Sequence, residues 1–585
     1  MNPNQSKKLK ITFIFIIILF FFLVLIGALV HIATSDKRLP RLTITETDKA
    51  IHGNILSRNN FTISSSKKLY KAVVDTRNID PAKKELFISL FSTFSNIDQE
   101  VIRKKIESKF GFVTLTYKLD SKTARYVKQL SKRLFALKVI RRYTDLKTNR
   151  TFLHGLEVRE SGEYRFYPLG ETLTPIIGYV RKFEKENYTT IEGRYGLEKY
   201  YAKELEGIQS TEIQGRRDAR SNIILDNESD VKNRYDGYNV ITSISLKLQK
   251  TVEQLLFTHR EKLGAKEIMA AVMDSKTGNI LTIASSRRFT PGKIKDADAL
   301  TISAIRYIYE PGSIMKPIIY ALLLEDKKIN KDDIIKTYNG RFLLGKKVIT
   351  DEHRYPYLSA ENVIVHSSNI GMAQISQRLD PLNYFQGLRS FGFGRKTGID
   401  LTYELEGSIP NIHQLKNSVY RATASYGYGI KVNFFHILQA YNIFNNEGLL
   451  IQPSIGEFIQ SPSHKQEIFH KEPQRVLSKK TALALQKVLF KTVQEGTGKN
   501  AITEGIMIGG KTGTAQISVR GKYEEIYNNS FFGFANDGSH KYTIGVTVIE
   551  PDPDGIGHYA SQSATPVFKD IVDCLINEEF LTPLK

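Results

Sequence analysis

At 585 residues, with 41% apolar and 25% charged side chains, the chain is too long for one ordinary core and too apolar to be disordered, so two or more globular domains are expected. The single cysteine, Cys574, excludes an intramolecular disulfide, and its apolar helical surroundings mark a small buried side chain rather than a catalytic thiol. A net charge of +22 asks for an acidic counterpart, but the scattered basic residues form no zinc-finger spacing, basic helix or aromatic recognition motif, so an anionic membrane surface or acidic polymer is indicated and no nucleic acid is expected.

In chain order, Lys7, Lys8 and Lys10 precede a nearly continuous apolar run from Ile11 to Ile32, broken only by Thr12 and His31. Its 22 residues span about 33 Å as a helix, enough to cross a bilayer, whereas a cleaved signal has an apolar stretch of only about 7–15 residues. An uncleaved single anchor is therefore expected over 11–32, although Ala33-Thr34-Ser35 could pass as a cleavage site. Lys37, Arg38 and Arg41 follow the span, so flanking charge does not orient it. No second span follows, which leaves 1–10 as a short tail and the rest of the chain on the other side.

From about Leu39 to Tyr238 short β-like runs alternate with charged helical stretches. Tyr70–Asp75 reads as a strand, Lys83–Phe94 as an amphipathic helix, and the polar tract Gln214–Asp236 as an exposed connection. A second globular unit, 239–585, opens with a short strand at Asn239–Ser243 and a helix over Leu246–Leu263. Met269–Asp274 and Ile280–Ala284 flank a Ser-Lys-Thr-Gly-Asn turn, which predicts a hairpin. Near the end, Ser530–Ala535 and Tyr542–Ile549 read as paired strands, and Thr565-Pro566 as the cap of a last helix. Strands at both ends with helices between predict an α+β domain, a mainly antiparallel sheet covered by helices.

Within that unit lies Glu310-Pro311-Gly312-Ser313-Ile314-Met315-Lys316-Pro317. Residues i and i+3 of a helix share a face, so Ser313 has beside it an amine able to take its proton, as an activated serine nucleophile requires. Ser64/Lys67 and Ser65/Lys68 share the spacing, but in a polar stretch that reads as a loop. Two motifs follow in order, Ser367-Ser368-Asn369 and Lys511-Thr512-Gly513. Their decoys Lys276-Thr277-Gly278 and Lys396-Thr397-Gly398 read as turns in which glycine takes a positive φ, and Ser57-Arg58-Asn59 also matches Ser-x-Asn. Only Lys511-Thr512-Gly513 leads into an alternating run, the pattern of a strand edge that can pair with an extended peptide.

The chemistry assigns each group a part. Ser313 attacks a carbonyl, and Lys316 must be neutral to act as base, so its pKa must fall from about 10.4 by burial or a second cation. Ser367 relays a proton to the leaving amine, and Asn369 holds a substrate amide and fixes Lys316. Lys511 supplies positive charge, Thr512, Gly513 and Thr514 bind a terminal carboxylate, and the backbone N–H groups of Ser313 and Thr514 form an oxyanion hole, a device commonly worth ~3–4 kcal/mol. The twelve histidines include no HExxH and no close ligand pair, so no metal site is expected.

The ordered trio resembles the penicillin-binding protein and serine β-lactamase superfamily. Ala424-Ser425-Tyr426-Gly427-Tyr428-Gly429-Ile430, Asn446-Glu447-Gly448, Glu495-Gly496-Thr497-Gly498 and Phe391-Gly392-Phe393-Gly394 with Thr397–Leu401 are similar to segments of its class B members. Upstream, Arg165-Phe166-Tyr167-Pro168, Gly178-Tyr179-Val180 and Gly193–Glu198 resemble that family's N-terminal pedestal, or dimerisation-like domain, here 33–238. His52–Asn60 resembles its Arg-Gly-x-Ile-x-Asp-Arg-Asn-Gly segment but departs at His52, Ser57 and Asn60.

The resemblance implies a cofactor-free peptidoglycan D,D-transpeptidase that cross-links stem peptides, is acylated by β-lactam antibiotics, and sits in the bacterial inner membrane with a periplasmic body. Asn369, where elongation enzymes more often carry Asp, resembles the division-specific FtsI-type enzymes. That implies septal work beside a membrane glycan polymerase and other division proteins. The alternatives are an elongation transpeptidase, a D,D-carboxypeptidase, and a non-catalytic β-lactam sensor or divisome scaffold.

Overall fold

The computed structural model describes residues 3–34, 43–146, 148–185, 188–217, 223–227, 229–292, 298–519, 522–552, 555 and 557–584. These fall into two compact units, one of residues 1–49 with 210–234, the other of 50–209 with 235–585.

The smaller unit holds the apolar helix Pro3–Thr34, whose Lys7–Thr34 stretch is long and apolar enough to cross a membrane and is exposed throughout. Thr12 and Thr34 donate their hydroxyls to the Lys8 and Val30 carbonyls, so both are satisfied inside the helix, as a lipid-facing segment demands. The unit also contains a small antiparallel sheet, in which Thr43–Asp48 pairs with Thr211–Arg217 from Thr43↔Arg216 to Asp48↔Thr211. Ile223–Ile224 and Asp230–Lys232 pair with the same strand. The tract expected as an exposed connection therefore contributes strands. Cross-strand partners of opposite charge, such as Lys232 with Glu212 at 3.3 Å, stand in for the apolar face that pattern reading looks for.

In the larger unit a nine-stranded sheet runs 465–467, 456–460, 239–242, 55–56, 62–75, 156–166, 188–195, 179–185, with 112–119 branching from 62–75. The Ser64–Lys68 stretch lies inside the strand Thr62–Asp75 and is no loop. Its polar side chains are used: the Ser64 hydroxyl donates to Glu198 at 2.6 Å and Lys68 pairs with Glu160 at 3.0 Å. The expected helix at 83–94 forms over Lys84–Ser95 and buries Phe87, Ile88 and Phe91. Strand Asn239–Thr242 joins this sheet, parallel to Ile55–Leu56 and antiparallel to Gly456–Gln460.

The three departures from the family segment are structurally absorbed. His52 Nδ1 lies 2.7 Å from Glu163. Ser57 Oγ accepts from the Phe61 N–H at 3.0 Å, and Asn60 takes φ +61°, where glycine stands in the family and asparagine is tolerated.

The second sheet is five-stranded and antiparallel, ordered 280–285, 267–274, 541–549, 522–536, 507–519. Along Glu267–Asp274, Ile268, Ala270 and Val272 face one core, with helices Leu246–Leu263 and Ala564–Asn577, while Met269, Ala271 and Met273 face another. That second core contains helix Phe434–Asn445, buried all round, with its polar His436, Gln439, Asn442 and Asn445 each hydrogen-bonded. The last helix begins at Ala564 after Ser563, so Thr565-Pro566 sits inside its first turn and does not cap it; the Thr565 hydroxyl donates to the Ala560 carbonyl.

Candidate active site

Ser313 lies in a 3-10 turn, Gly312–Met315, that runs directly into helix Lys316–Glu325. In a 3-10 turn residues i and i+3 eclipse, which aligns Ser313 with Lys316. Pro311 precedes the turn and no side chain caps it, so the N–H of Ser313 belongs to the leading donors that have no intrahelical acceptor. Ser313 Oγ makes no hydrogen bond among the described residues.

Lys316 is fully buried, and its ammonium donates to the Ser367 carbonyl and, at 3.1 Å, to Ser367 Oγ. Burial drives its pKa down to about 7, against the weaker pull of the Asp351 and Glu352 charges, neither of which bonds to it. Ser367 holds φ +58°, a left-handed conformation costly for serine, and its carbonyl is among the acceptors of Lys316. Asp351 secures this turn: it accepts from Ser368 Oγ at 2.5 Å and from the N–H groups of Asn369 at 2.6 Å and Ile370 at 3.0 Å.

Asn369 does not hold Lys316. It is the first residue of helix Asn369–Ile375, and its side-chain amide donates to the Thr350 carbonyl at 3.0 Å. Sequence spacing cannot say which neighbour a helix-start amide faces.

Lys511 is the second fully buried lysine, on Met507–Val519, the edge strand of the five-stranded sheet. Among the described residues its ammonium reaches only oxygen atoms without charge, the Thr512 carbonyl at 3.2 Å, Thr512 Oγ1 at 3.3 Å and Thr497 Oγ1 at 3.4 Å. Burial first, and then the like charge of Lys316, pushes its pKa well below that of an ordinary lysine. An arriving carboxylate would restore the proton and be held by it. Thr512 and Thr514 line a cleft of about 450 Å³ with Thr497, His366, Tyr355 and Tyr559, and Thr514 Oγ1 accepts from the Ala560 N–H at 3.1 Å.

Glycines bring these parts together. A Cβ on Gly513 would lie 2.9 Å from Ile314 Cγ2 and 3.1 Å from the Pro311 carbonyl, so only glycine lets the nucleophile turn lie against the edge strand. Gly427, at φ +91°, would place a Cβ 2.3 Å from the Gly312 carbonyl oxygen. The three motifs, about 50 and 140 residues apart in sequence, thus meet at one place. The decoys do not: Gly278 and Gly398 sit in turns at φ +82° and +87°, and Thr397 bonds Glu404.

Sequence reasoning assigned no part to Thr497 or Asp351. Thr497 lay within a segment noted only for its resemblance, yet its hydroxyl lies 2.7 Å from that of Thr512. Asp351 carried no motif signal. Among the described residues no three His, Cys, Asp or Glu side chains converge to hold a metal.

The chain matches the family description "Penicillin binding protein transpeptidase domain" over residues 268–573 and "Penicillin-binding Protein dimerisation domain" over 47–242. It belongs to the class B penicillin-binding protein D,D-transpeptidase family. Among relatives, it is 28% identical over 550 residues to stage V sporulation protein D of Bacillus subtilis, covering 91% of this chain and 79% of that one. It is 27% identical over 465 residues to the peptidoglycan D,D-transpeptidase FtsI homolog of Mesostigma viride, covering 74% and 75%. Penicillin-binding protein 3 of Mycobacterium tuberculosis, solved in complex with aztreonam, superposes with a TM-score of 0.65 at 22% identity, covering 92% of this chain and 98% of that one; at that identity the likeness speaks for the fold. In this class B penicillin-binding protein the pedestal motifs converge as the three motifs around Ser313 do. Arg165 bonds Glu198 at 2.8 Å, the Gly53 carbonyl at 2.6 Å and Ser66 Oγ at 3.1 Å, all in the buried interior.

Proposed function

We propose that this protein cross-links peptidoglycan stem peptides through an acyl-enzyme on Ser313. The observation that carries the reading is a buried, carboxylate-free Lys316 one 3-10 turn from a Ser313 hydroxyl with no other partner. Ser313 Oγ attacks the carbonyl carbon of the penultimate D-Ala, and its proton passes to neutral Lys316. The resulting oxyanion takes the Ser313 and Thr514 N–H groups, while Thr512, Thr514 and Lys511 hold the terminal carboxylate beside Gly513. The C–N bond breaks, and the D-Ala amine leaves with the proton returned from Lys316 through Ser367. An amine of a neighbouring stem peptide then attacks the ester, gives its proton to Lys316 by the same route, and expels Ser313 Oγ, which takes the proton back. Asn369, half-exposed beside Ser367, is placed to bind the donor peptide amide.

A β-lactam would be attacked at the same atom, and the aztreonam complex of the M. tuberculosis relative supports that reading. The Pro3–Thr34 helix supports a single inner-membrane anchor with the tail in the cytoplasm and both domains in the periplasm, where the substrate lies. Asn369 and the FtsI-named relative support a septal role beside a glycan polymerase and other division proteins.

Incubating the purified chain with a fluorescent penicillin should label the peptide containing Ser313 and leave Ser313→Ala unlabelled. Label elsewhere, or an equally labelled Ser313→Ala, removes the assignment. Depletion should give filaments; round cells would point to elongation instead.

A further inference from the structure

The edge strand that carries Lys511–Thr514 is poorly supported at its far end. Pairing of Met507–Val519 with Lys522–Asn536 continues to Val519↔Lys522, through an irregularity between Gln516 and Ser518. The next strand of the sheet stops earlier, its last partner being Asn528↔Ile549. One further bond, from the Glu550 N–H to the Tyr527 carbonyl at 3.0 Å, backs the pair, and beyond it the described residues form a two-stranded ribbon, an arrangement marginal by itself. Thr514 pairs with Asn529, which pairs with Val548, so it lies inside the supported sheet two residues before the overhang and feels the ribbon through Ala515.

A carboxylate ties down the ribbon's far end, beyond the point where Tyr428 bonds the Gln516 backbone. Glu310 stands three residues before Ser313, next to Tyr309, which is paired with Val432 through bonds of 2.9 and 3.0 Å. Glu310 Oε2 accepts the hydroxyl of Tyr523, on the overhanging ribbon, at 2.9 Å. Its Oε1 accepts the Gly429 N–H at 2.8 Å. The Tyr523 ring meets Tyr428 edge-on at 5.3 Å. Ribbon, glycine loop and nucleophile segment thus meet at the Glu310 side chain.

Resting on the transpeptidase reading above, we propose that Glu310 is a positioning residue that clasps the ribbon strands 516–519 and 522–523 to the nucleophile turn, keeping the carboxylate-binding strand in register with Ser313. The role concerns geometry more than global stability: Tyr523 is 49% exposed, and a bond so placed adds little to folding. A displacement of about 1 Å at a reacting centre, by contrast, can cost about 10²-fold in rate.

The test is stopped-flow acylation of the full-length chain in detergent by a fluorescent penicillin, separating the acylation rate constant from the dissociation constant. Glu310→Ala should slow acylation ~10- to 100-fold with binding changed less than ~3-fold. Glu310→Gln keeps an acceptor for Gly429 and a polar partner for Tyr523, and should stay within ~3-fold of the unaltered protein. Tyr523→Phe should fall between them, and combining it with Glu310→Ala should add nothing further, because both remove one link. Unchanged acylation in Glu310→Ala, additive losses in the double variant, or a loss confined to the active fraction would each overturn the clasp. An unaltered chain that takes no label, or a labelled Ser313→Ala, would overturn the transpeptidase reading itself and the positioning role with it.

Discussion

In the pedestal the guanidinium of Arg165 lies buried 2.8 Å from the carboxylate of Glu198 and also donates to the Gly53 carbonyl and Ser66 Oγ, while Ser64 donates to Glu198. In the transpeptidase half Lys316 and Lys511 are buried as deeply, yet touch only carbonyl and hydroxyl oxygens. The residue types suit the two settings. Arginine cannot shed its proton and forks onto a carboxylate, whereas a lysine denied a carboxylate gives its proton up. A paired buried cation holds segments together, and an unpaired one is, on the proposed reading, free to serve as a base or to receive a carboxylate. The same burial therefore serves cohesion in one region and reactivity in the other.

The sharpest way to break this comparison is to deny Lys316 its neutral form. Lys316→Arg keeps a cation that stays charged, and acylation by a fluorescent penicillin should fall ~10²- to 10⁴-fold, the usual worth of a general base. Acylation within a few-fold of the unaltered chain would mean that another group takes the serine proton.

Stability should move in opposite directions at the two sites. Glu198→Ala leaves the Arg165 charge buried without its partner and should cost about 3–5 kcal/mol in denaturant unfolding. Lys316→Met replaces an amine that prefers water by a side chain of similar shape, and should raise the melting temperature while abolishing acylation. If both substitutions destabilise alike, the lysine is a structural cation and the distinction fails.

The pH dependence follows from the same burial. With Lys316 at about 7 when folded, acylation should rise with pH through about 7 and then level off. The sign for stability is fixed as well. An unfolded lysine titrates near 10.5, so between about 7 and 10.5 the unfolded chain binds the extra proton and folding stability rises with pH. Below about 7 both states are protonated and the burial penalty, on the order of a few kcal/mol, is fully present. Unfolding curves across this window should show the slope in the unaltered protein and lose one proton's worth of it in Lys316→Met.

A smaller effect is expected at Thr497, whose hydroxyl joins Thr512 at 2.7 Å and lies 3.4 Å from Lys511. Thr497→Val should slow acylation about 10-fold, near 1.4 kcal/mol, by loosening the carboxylate-binding pair. The smallest lies in the pedestal: Asn60→Gly should change stability by under about 0.5 kcal/mol, while Asn60→Ala at φ +61° should cost about 1 kcal/mol.

Much of this was legible from residues alone. The apolar run 11–32, the helix at 246–263 and the hairpin strands at 267–285 follow from length and periodicity, which are local properties. So is the order of Ser313, Ser367-x-Asn369 and Lys511-Thr512-Gly513. The strands within 211–232 and the strand over Ser64–Lys68 escaped, because their polar side chains are satisfied by partners far along the chain. Asn369 was given Lys316 as a neighbour and took the Thr350 carbonyl instead. Asp351, Thr497 and Glu310 had no assigned place because a lone carboxylate or hydroxyl acquires meaning only from what it meets.

The sequence by itself determined which groups this protein owns: a serine with a lysine one turn on, a second lysine on a strand edge, a membrane-length helix, an arginine and a glutamate in the pedestal. Tertiary structure alone decided which of its cations keep their charge. That outcome depends on burial and on whether a carboxylate lies within bonding distance, and both are set by the packing of separate segments, such as the 367 turn against Lys316 and Glu198 against Arg165.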